Sequence, residues 1–453
     1  MAKKNNIVYT CPNEKCNAEP TTKFTFLCNK CGSQVEEKEV ENLVIKGKTS
    51  KKSLTSYPSK SKKISEIDSE NANRIDTGIK QINIVFGKNS KNNSSGLAQG
   101  SVNLLSGHPG VGKSTLLLSI INNIANQFVK EGKNCIYISG EESESQIKDR
   151  HERLCLTADY NIISETNYEK IKTDIENNDF IIIDSINTIY IDGVGTIGGI
   201  SQINEVTTNL IEVVKKNNKT LLMIAQINKS GDMAGPQRLA HMVDGVFFFD
   251  DFDDSGIFKI ITSEKNRFGK VNETAIFEMT EKGMVEIADP SMIFIDENGS
   301  IGTALSLIFK GNRPIIIEIE SLVAKTESEK TITTAVGLDQ KKIFQIVAIC
   351  SKFLKISMYQ KNIFSNVVGG LNLTKGKPQT QIDLAILASI LSSDKEVNIN
   401  QYIFIGEVSL SGSIRKVPQE NVLIEHIEML FKNKTIISNT TGYKHVTDLV
   451  KLF

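Results

Sequence analysis

The stretch GHPGVGKST, residues 107–115, brings together the residue types needed to hold a triphosphate. Glycines let backbone N–H groups turn inward around phosphate oxygens, and the N-terminus of a following helix adds positive potential. Gly107, His108, Pro109, Gly110, Val111 and Gly112 form the loop, Lys113 reaches the β- and γ-phosphates, Ser114 holds Mg²⁺, and Thr115 completes the pattern. G-x-x-x-x-G-K-[ST] occurs here between an apolar strand and a helical run, which is the context the pattern requires. The chemistry implied is nucleotide hydrolysis with ATP and Mg²⁺.

Three further positions belong to the same chemistry. Asp184 ends the apolar run FIIIDS, and a carboxylate at a strand's C-terminal edge beside a phosphate loop can organise the Mg²⁺ shell. Glu141 and Glu142 follow NCIYISG, where one carboxylate is expected to face the γ-phosphate and orient the attacking water. An N-cap charge suits Glu142 better, so Glu141 is the candidate base. Gln226 ends TLLMIAQ; its amide either senses the γ-phosphate and passes its state to NKSGDMAGPQR, or is merely structural. Separately, Cys11, Cys16, Cys28 and Cys31 form the pairs CPNEKC and CNKC, a spacing that fits tetrahedral Zn²⁺. Four protein ligands leave no open position for catalysis, so this zinc is structural.

These residues need elements to position them. From residue 74 to about 290, short β-branched runs alternate with longer helical patterns, the signature of a parallel sheet covered by helices. SVNLLSG, NCIYISG, DFIIIDS, TLLMIAQ and GVFFFDD read as strands buried on both faces, while LLLSIINNIANQFV, SQIKDRHERL and INEVTTNLIEVVKK read as helices. Beyond that, TALSLIF, RPIIIEIE, KKIFQIVAICSKFL and DLAILASILSS indicate a separate α+β domain. The expected fold class is α/β, with a four-cysteine zinc module over 1–45, a Lys/Ser-rich linker over 46–73, a P-loop parallel-sheet domain over 74–290 and an α+β domain over 291–453. The linker is a solvated tether or, alternatively, a contact to DNA phosphates.

Composition sets limits. A chain of 453 residues is too long for one core. Lys+Arg and Asp+Glu balance at 53 each, so any case for nucleic acid must rest on local patches. No apolar run reaches the roughly 18 residues a membrane span needs, and the lysines of MAKKNN lead into no apolar signal core. Cytoplasmic residence is therefore expected. Cys135, Cys155 and Cys350 lie in core-like segments and read as small buried hydrophobes.

Taken in order, the cysteine module, RIDTG (74–78), GHPGVGKST, YISGEES (137–143), FIIIDSI, AGPQRLAHMVD (234–244), KNRFG (265–269), NVVGGL, DLAILASILSS and GEVSLSGSIRKV resemble the bacterial RadA (Sms) family of DNA repair proteins. The resemblance implies a RecA-like ATPase core joined to a domain similar to the proteolytic domain of Lon. It also implies a hexameric ring on single-stranded DNA, branch migration of recombination intermediates during repair, and a RecA-type recombinase as partner. KNRFG in that family is thought to reach the neighbouring subunit's nucleotide, which makes Lys265 and Arg267 candidates for a finger acting in trans. A guanidinium supplied across an interface would neutralise charge on the γ-phosphate. Lys229 and Arg238 are candidate DNA contacts, and Lys341, Lys342, Arg415 and Lys416 weaker ones.

The chain departs from the family pattern at three places: CxxxxC replaces the first CxxC, Gln226 stands where His is usual, and KPQTQIDLA replaces a Pro-Ala-Ala-Asp-like stretch. A Lon-like fold raises the rival reading of an ATP-dependent peptidase. Set against Lon's catalytic stretches, Gln381 occupies the serine slot and Asn421 the lysine slot, and neither can do that chemistry. The resulting expectation is a DNA-dependent ATPase of the helicase type, not a peptidase; Ser389 or Ser411 would have to act for the rival to stand. A RecA-like regulatory ring resembling the circadian-clock ATPases is the third reading, against which the cysteine module and KNRFG count.

Overall fold

The computed structural model describes residues 6–13, 16, 26–28, 30–40, 63, 73–89, 92–226, 236–288, 295–296, 299–328, 330–374 and 378–453. Most of the expected linker and the candidate DNA contact Lys229 lie outside the described residues. The chain forms two compact units, Met1–Ser56 and Tyr57–Phe453. In the first, the strands Asn6–Thr10 and Glu36–Val40 pair antiparallel, and the four cysteines fall between them in sequence.

The second unit contains a nine-stranded sheet. Gly245–Asp251, Val102–Gly107, Thr220–Gln226, Phe180–Asp184, Cys135–Ser139 and Asn161–Ser164 lie side by side and parallel in that order. Phe258–Asn266, Thr274–Thr280 and Gly283–Glu286 extend the sheet antiparallel beyond Gly245–Asp251. Val102–Gly107, Cys135–Ser139 and Phe180–Asp184 are buried at every position. Helices on both faces demand that pattern. Lys113–Phe128 packs Leu116, Ile120 and Ile124 into the cluster that holds Leu105 and Ile182, and Ile200–Lys216 packs Leu210 and Val214 against Ile183 and Met223. Register then decides the site: Gly107 stands opposite Gln226, and Ser139 opposite Asp184. Parallel strands thus deliver their C-terminal ends to one edge, where ligands of such sheets bind.

A six-stranded sheet comes next, in the order Thr333–Val336, Lys361–Val367, Arg313–Lys325, Thr303–Lys310, Tyr402–Ile405, Thr435–Ser438. The apolar helix Asp383–Lys395 buries residues from Asp383 through Ser392 against it. Ile276 of the nine-stranded sheet and Phe252, just past the strand Gly245–Asp251, join the same apolar cluster, and Arg313 Nη1 donates to Gln81 Oε1 at 2.9 Å.

Two elements carry no signal strong enough to read from sequence. Asn161–Ser164 is a short edge strand with exposed ends, and Tyr168–Asn177 is a helix burying only Tyr168, Ile171 and Ile175. Cys135 and Cys350 are buried as expected, but Cys155 is exposed: it sits with φ 54° just past the helix Glu144–Arg153, outside the apolar face.

Candidate active site

Pro109, Gly110, Gly112, Lys113, Ser114, Thr115, Glu141, Glu142, Arg150, Asp184, Ile224 and Gln226 line one cavity of about 340 Å³. Gly112 caps the helix Lys113–Phe128 with φ 110°, a left-handed conformation that L side chains rarely adopt. That turn aims the first N–H groups of the helix into the cavity, where no intrahelical acceptor exists for them. Lys113 Nζ donates to the carbonyls of Gly107 and His108, both at 2.8 Å, and so folds back over its own loop. Burial pushes the Lys113 pKa below its ordinary value, against the opposing pull of Asp184 and Glu141. A phosphate arriving there meets a desolvated cation, whose attraction is stronger than in water. Val111 is fully buried, and His108 turns its Nε2 toward Asp250 (3.3 Å) and Asp251 (3.1 Å) rather than into the cavity.

The acidic residues are held individually. Tyr137 Oη donates to Asp184 Oδ2 at 2.6 Å, and burial followed by that carboxylate keeps the phenol protonated far above its ordinary range. Glu141 Oε1 accepts from Ser185 Oγ at 2.6 Å, and its two oxygens accept from Gln226 Nε2 at 2.9 and 3.1 Å. The candidate base and the candidate sensor are therefore in direct contact. Glu142 is engaged elsewhere, in a two-pronged pair with Arg150 at 2.8 and 2.6 Å. The helix Glu144–Arg153 is capped by Ser143 with Gln146, not by Glu142. Tyr137, Ser185 and Arg150 are site residues that sequence reasoning did not single out. Tyr137 reads as core, and Arg150 as one of several charges on a solvated helix face.

Lys265 and Arg267 lie outside this cavity. Lys265 Nζ donates to the carbonyls of Ala240 (2.6 Å), His241 (3.2 Å) and Val243 (2.7 Å), at the end of the helix Pro236–Met242. Arg267 Nη1 pairs with Asp244 Oδ1 at 3.2 Å, with 56% of its side chain exposed. Arg238 is exposed on that same helix. In the C-terminal part, Lys341, Arg415 and Lys416 are exposed, whereas Lys342 pairs with the buried Asp383 at 2.9 Å. Gln381 is buried, its Nε2 donating to Gln379 Oε1 at 2.5 Å, and Asn421 is exposed. Ser389 is fully buried, bonded to Ser321 Oγ at 2.8 Å and donating to the Ile386 carbonyl at 2.9 Å. Ser411 Oγ meets Ser409 Oγ and Ser413 Oγ at 2.8 and 3.1 Å.

In the N-terminal unit the sulfurs of Cys11, Cys16, Cys28 and Cys31 all lie within 4.8 Å of one another. Cys11 to Cys31 is 3.4 Å and Cys16 to Cys28 is 3.8 Å. A tetrahedron with metal–sulfur bonds of about 2.3 Å has edges of about 3.8 Å, so the four donors fit zinc despite the longer first spacing. Hydrogen bonding to the side chain and backbone of Ser33 lowers the Cys31 pKa to about 6, toward the thiolate a metal needs.

A phosphate loop, an acidic strand end and a glutamate gathered at the C-terminal edge of a parallel sheet define a RecA-like P-loop ATPase. Residues 90–232 match the family model described as an AAA domain. The chain is similar to the DNA repair protein RadA of Streptococcus pyogenes, 36% identical over 419 residues that make up 87% of this chain and 88% of that protein. It is similar to the RadA of Listeria monocytogenes, 34% identical over 447 residues and 94% of each chain, and to that of Helicobacter pylori, 35% identical over 391 residues, 85% of this chain and 84% of the other. The chain belongs to the DNA repair protein RadA family. Among solved structures it is similar to the RadB recombinase, 19% identical with TM-score 0.35 over 47% of this chain and 99% of that one. It is also similar to a KaiC-like protein of Pyrococcus horikoshii, 18% identical with TM-score 0.36 over 43% and 92%. No described helix is long and apolar enough to cross a membrane.

Proposed function

We propose that this chain is a DNA-dependent ATPase of recombinational repair, one that moves on single-stranded DNA and promotes branch migration of recombination intermediates. The observation that carries the reading is the contact between Glu141 and Gln226. The amide that touches the candidate base is also the last residue of its strand, so a change at the γ-phosphate is handed directly to the next segment of chain.

In the reaction, Lys113 and the amides of its loop hold the triphosphate, and Glu141 orients the water and takes up its proton as it attacks the γ-phosphorus, while the bond from that phosphorus to the β–γ bridging oxygen breaks and ADP leaves. Ser114 and Asp184 would hold Mg²⁺, which when bound would supply charge neutralisation for the triphosphate. Arg267 is the better candidate for a finger reaching a neighbour's nucleotide, because the Lys265 ammonium is already occupied by three carbonyls. Within this reading the chain assembles as a hexamer in the cytoplasm, the cysteine cluster holds a structural zinc, and a RecA-type recombinase supplies the branched DNA. The C-terminal domain, Lon-like in descent, acts as a scaffold and not as a peptidase. Support comes from the burial of Gln381 and Ser389, which leaves neither side chain presented to a substrate.

ATP hydrolysis measured with and without single-stranded DNA tests the proposal. We expect stimulation by DNA, no hydrolysis by Lys113→Ala, and, for Gln226→Ala, lowered basal hydrolysis that DNA no longer stimulates. Turnover by Lys113→Ala would overturn the site assignment, and full stimulation of Gln226→Ala would overturn the coupling.

A further inference from the structure

Glu141 sits in a short turn between the strand Cys135–Ser139 and the helix Glu144–Arg153. Such a turn positions a catalytic carboxylate only if its backbone is pinned on both sides. Before Glu141 the pinning is plain: Gly140 N–H donates to the Asp184 carbonyl at 2.8 Å, and a Cβ at Gly140 would lie 1.9 Å from Thr188 Oγ1. After Glu141, the pinning runs through Glu142. Its N–H donates to Ser139 Oγ at 2.9 Å, its carbonyl accepts from Ser164 Oγ at 3.0 Å, and its carboxylate is gripped by both arms of Arg150.

Charge makes the grip matter. Glu141, Glu142 and Asp184 all line the nucleotide cavity, and among the described residues the cations lining it are Lys113 and Arg150. Lys113 is committed to its own loop and, in the proposed reaction, to the phosphates. Without Arg150, Glu142 would stand beside the base as an uncompensated anion, free to draw away the Ser185 and Gln226 donors that orient Glu141. The pair is only partly exposed, 24% for Arg150 and 30% for Glu142, so solvent screens it incompletely.

We infer that Arg150 is a positioning residue for ATP hydrolysis: by clamping Glu142 it fixes the turn that aims Glu141 and cancels the second negative charge beside it. The inference rests on the reading of Glu141 as the base. Both arms of the guanidinium are used on one carboxylate, a geometry that lysine cannot reproduce.

The test compares steady-state ATP hydrolysis by the full-length chain and by Arg150→Gln, Arg150→Lys, Glu142→Gln, the double variant Glu142→Gln/Arg150→Gln, and Glu141→Gln, with affinity for a fluorescent ATP analogue measured in parallel. Arg150→Gln should lower kcat by about tenfold or more and leave KM within about threefold, the pattern of a group that acts on the transition state. Arg150→Lys, which keeps the charge but not the fork, should fall between. The double variant removes the stranded anion together with its partner while Ser139 and Ser164 still hold the turn, and should recover part of the lost turnover, at least about threefold over Arg150→Gln, because coupled residues are not additive. Wild-type turnover in Arg150→Gln would overturn the inference, and so would a double variant as slow as the single one, which would mean that the charge stranded on Glu142 is not what slows hydrolysis. Should Arg150→Gln fail to fold, the Arg150→Lys and double variants decide between the same two outcomes. Loss of turnover in Glu141→Gln alongside a normal Arg150→Gln would sink the positioning role alone, whereas an active Glu141→Gln would sink the assignment of the base.

Discussion

At the scale of single residues, the chain buries charges and holds each of them with specific partners. Asp383, 1% exposed at the start of its helix, accepts from Lys342 Nζ at 2.9 Å and from the Val408 N–H at 3.2 Å. Burial outweighs both and pushes its pKa up to about 6. A folded-state pKa above the unfolded value of about 3.9 means that the folded state binds the proton more tightly. The stability linked to this group is therefore complete below about pH 4 and is lost as pH rises through about 6. Lys342→Met, which leaves the carboxylate without a cation, should cost about 2–3 kcal/mol at pH 8 and much less at pH 5, where the carboxyl is protonated. Urea unfolding at the two pH values checks this, and an equal loss at both would show that Asp383 is not the titrating group. The same pair means that Lys342, one of the weaker candidates for DNA contact, is committed inside the domain.

At the scale of elements, KNRFG acts as a clip before it can act as a finger. Lys265 closes the end of the helix Pro236–Met242, and Asn266 Nδ2 donates to the Val85 and Phe86 carbonyls at 3.2 and 3.0 Å, closing the helix Lys80–Phe86. The Phe268 carbonyl receives Arg74 of RIDTG, so two motifs that look independent in sequence form one junction. A cation on the last carbonyls of a helix is stabilising through hydrogen bonds and the helix dipole. Lys265→Met should therefore lower stability by about 1–2 kcal/mol, seen as a lower melting temperature of the isolated chain. An unchanged melting temperature would leave Lys265 as a cation available to a neighbour. This junction also shows where sequence reading runs out. The phosphate loop, Asp184 and Glu141 are legible because each lies at the end of a buried strand or within a few residues of it, and local pattern fixes both the strand and its exit. Tyr137, Ser185 and Arg150 are not legible, because their roles depend on which strands lie side by side and on a helix turning back over its own start. The edge strand Asn161–Ser164 escapes for a related reason: with both ends exposed it lacks the apolar run that marks its buried neighbours.

At the scale of the whole molecule, hydrolysis has to be tied to assembly if a ring is to move on DNA, and the charges around the nucleotide indicate how. Of the cations that line the cavity among the described residues, Lys113 is the one proposed to hold the phosphates and Arg150 is paired with Glu142. A further positive charge for the γ-phosphate has to come from outside the cavity. Arg267 is available because its own side chain is more than half exposed, and the buried Asp244 keeps the Lys215 ammonium at 2.5 Å and the Val102 N–H at 3.0 Å when the guanidinium leaves. Arg267→Ala should accordingly fold normally but hydrolyse ATP slowly when assembled. Mixing separates action in trans from action within one subunit. Lys113→Ala lacks a working loop but keeps its finger, and Arg267→Ala keeps its loop but lacks the finger. If the finger of one subunit serves the loop of the next, equal mixing in a closed ring places an intact loop beside an intact finger at about one quarter of the interfaces. DNA-stimulated hydrolysis by the mixture should then rise toward about a quarter of the parent rate, well above either variant alone. Activity equal to the mean of the two separate variants would show that Arg267 works within its own subunit or not at all, and would leave the added charge to another residue.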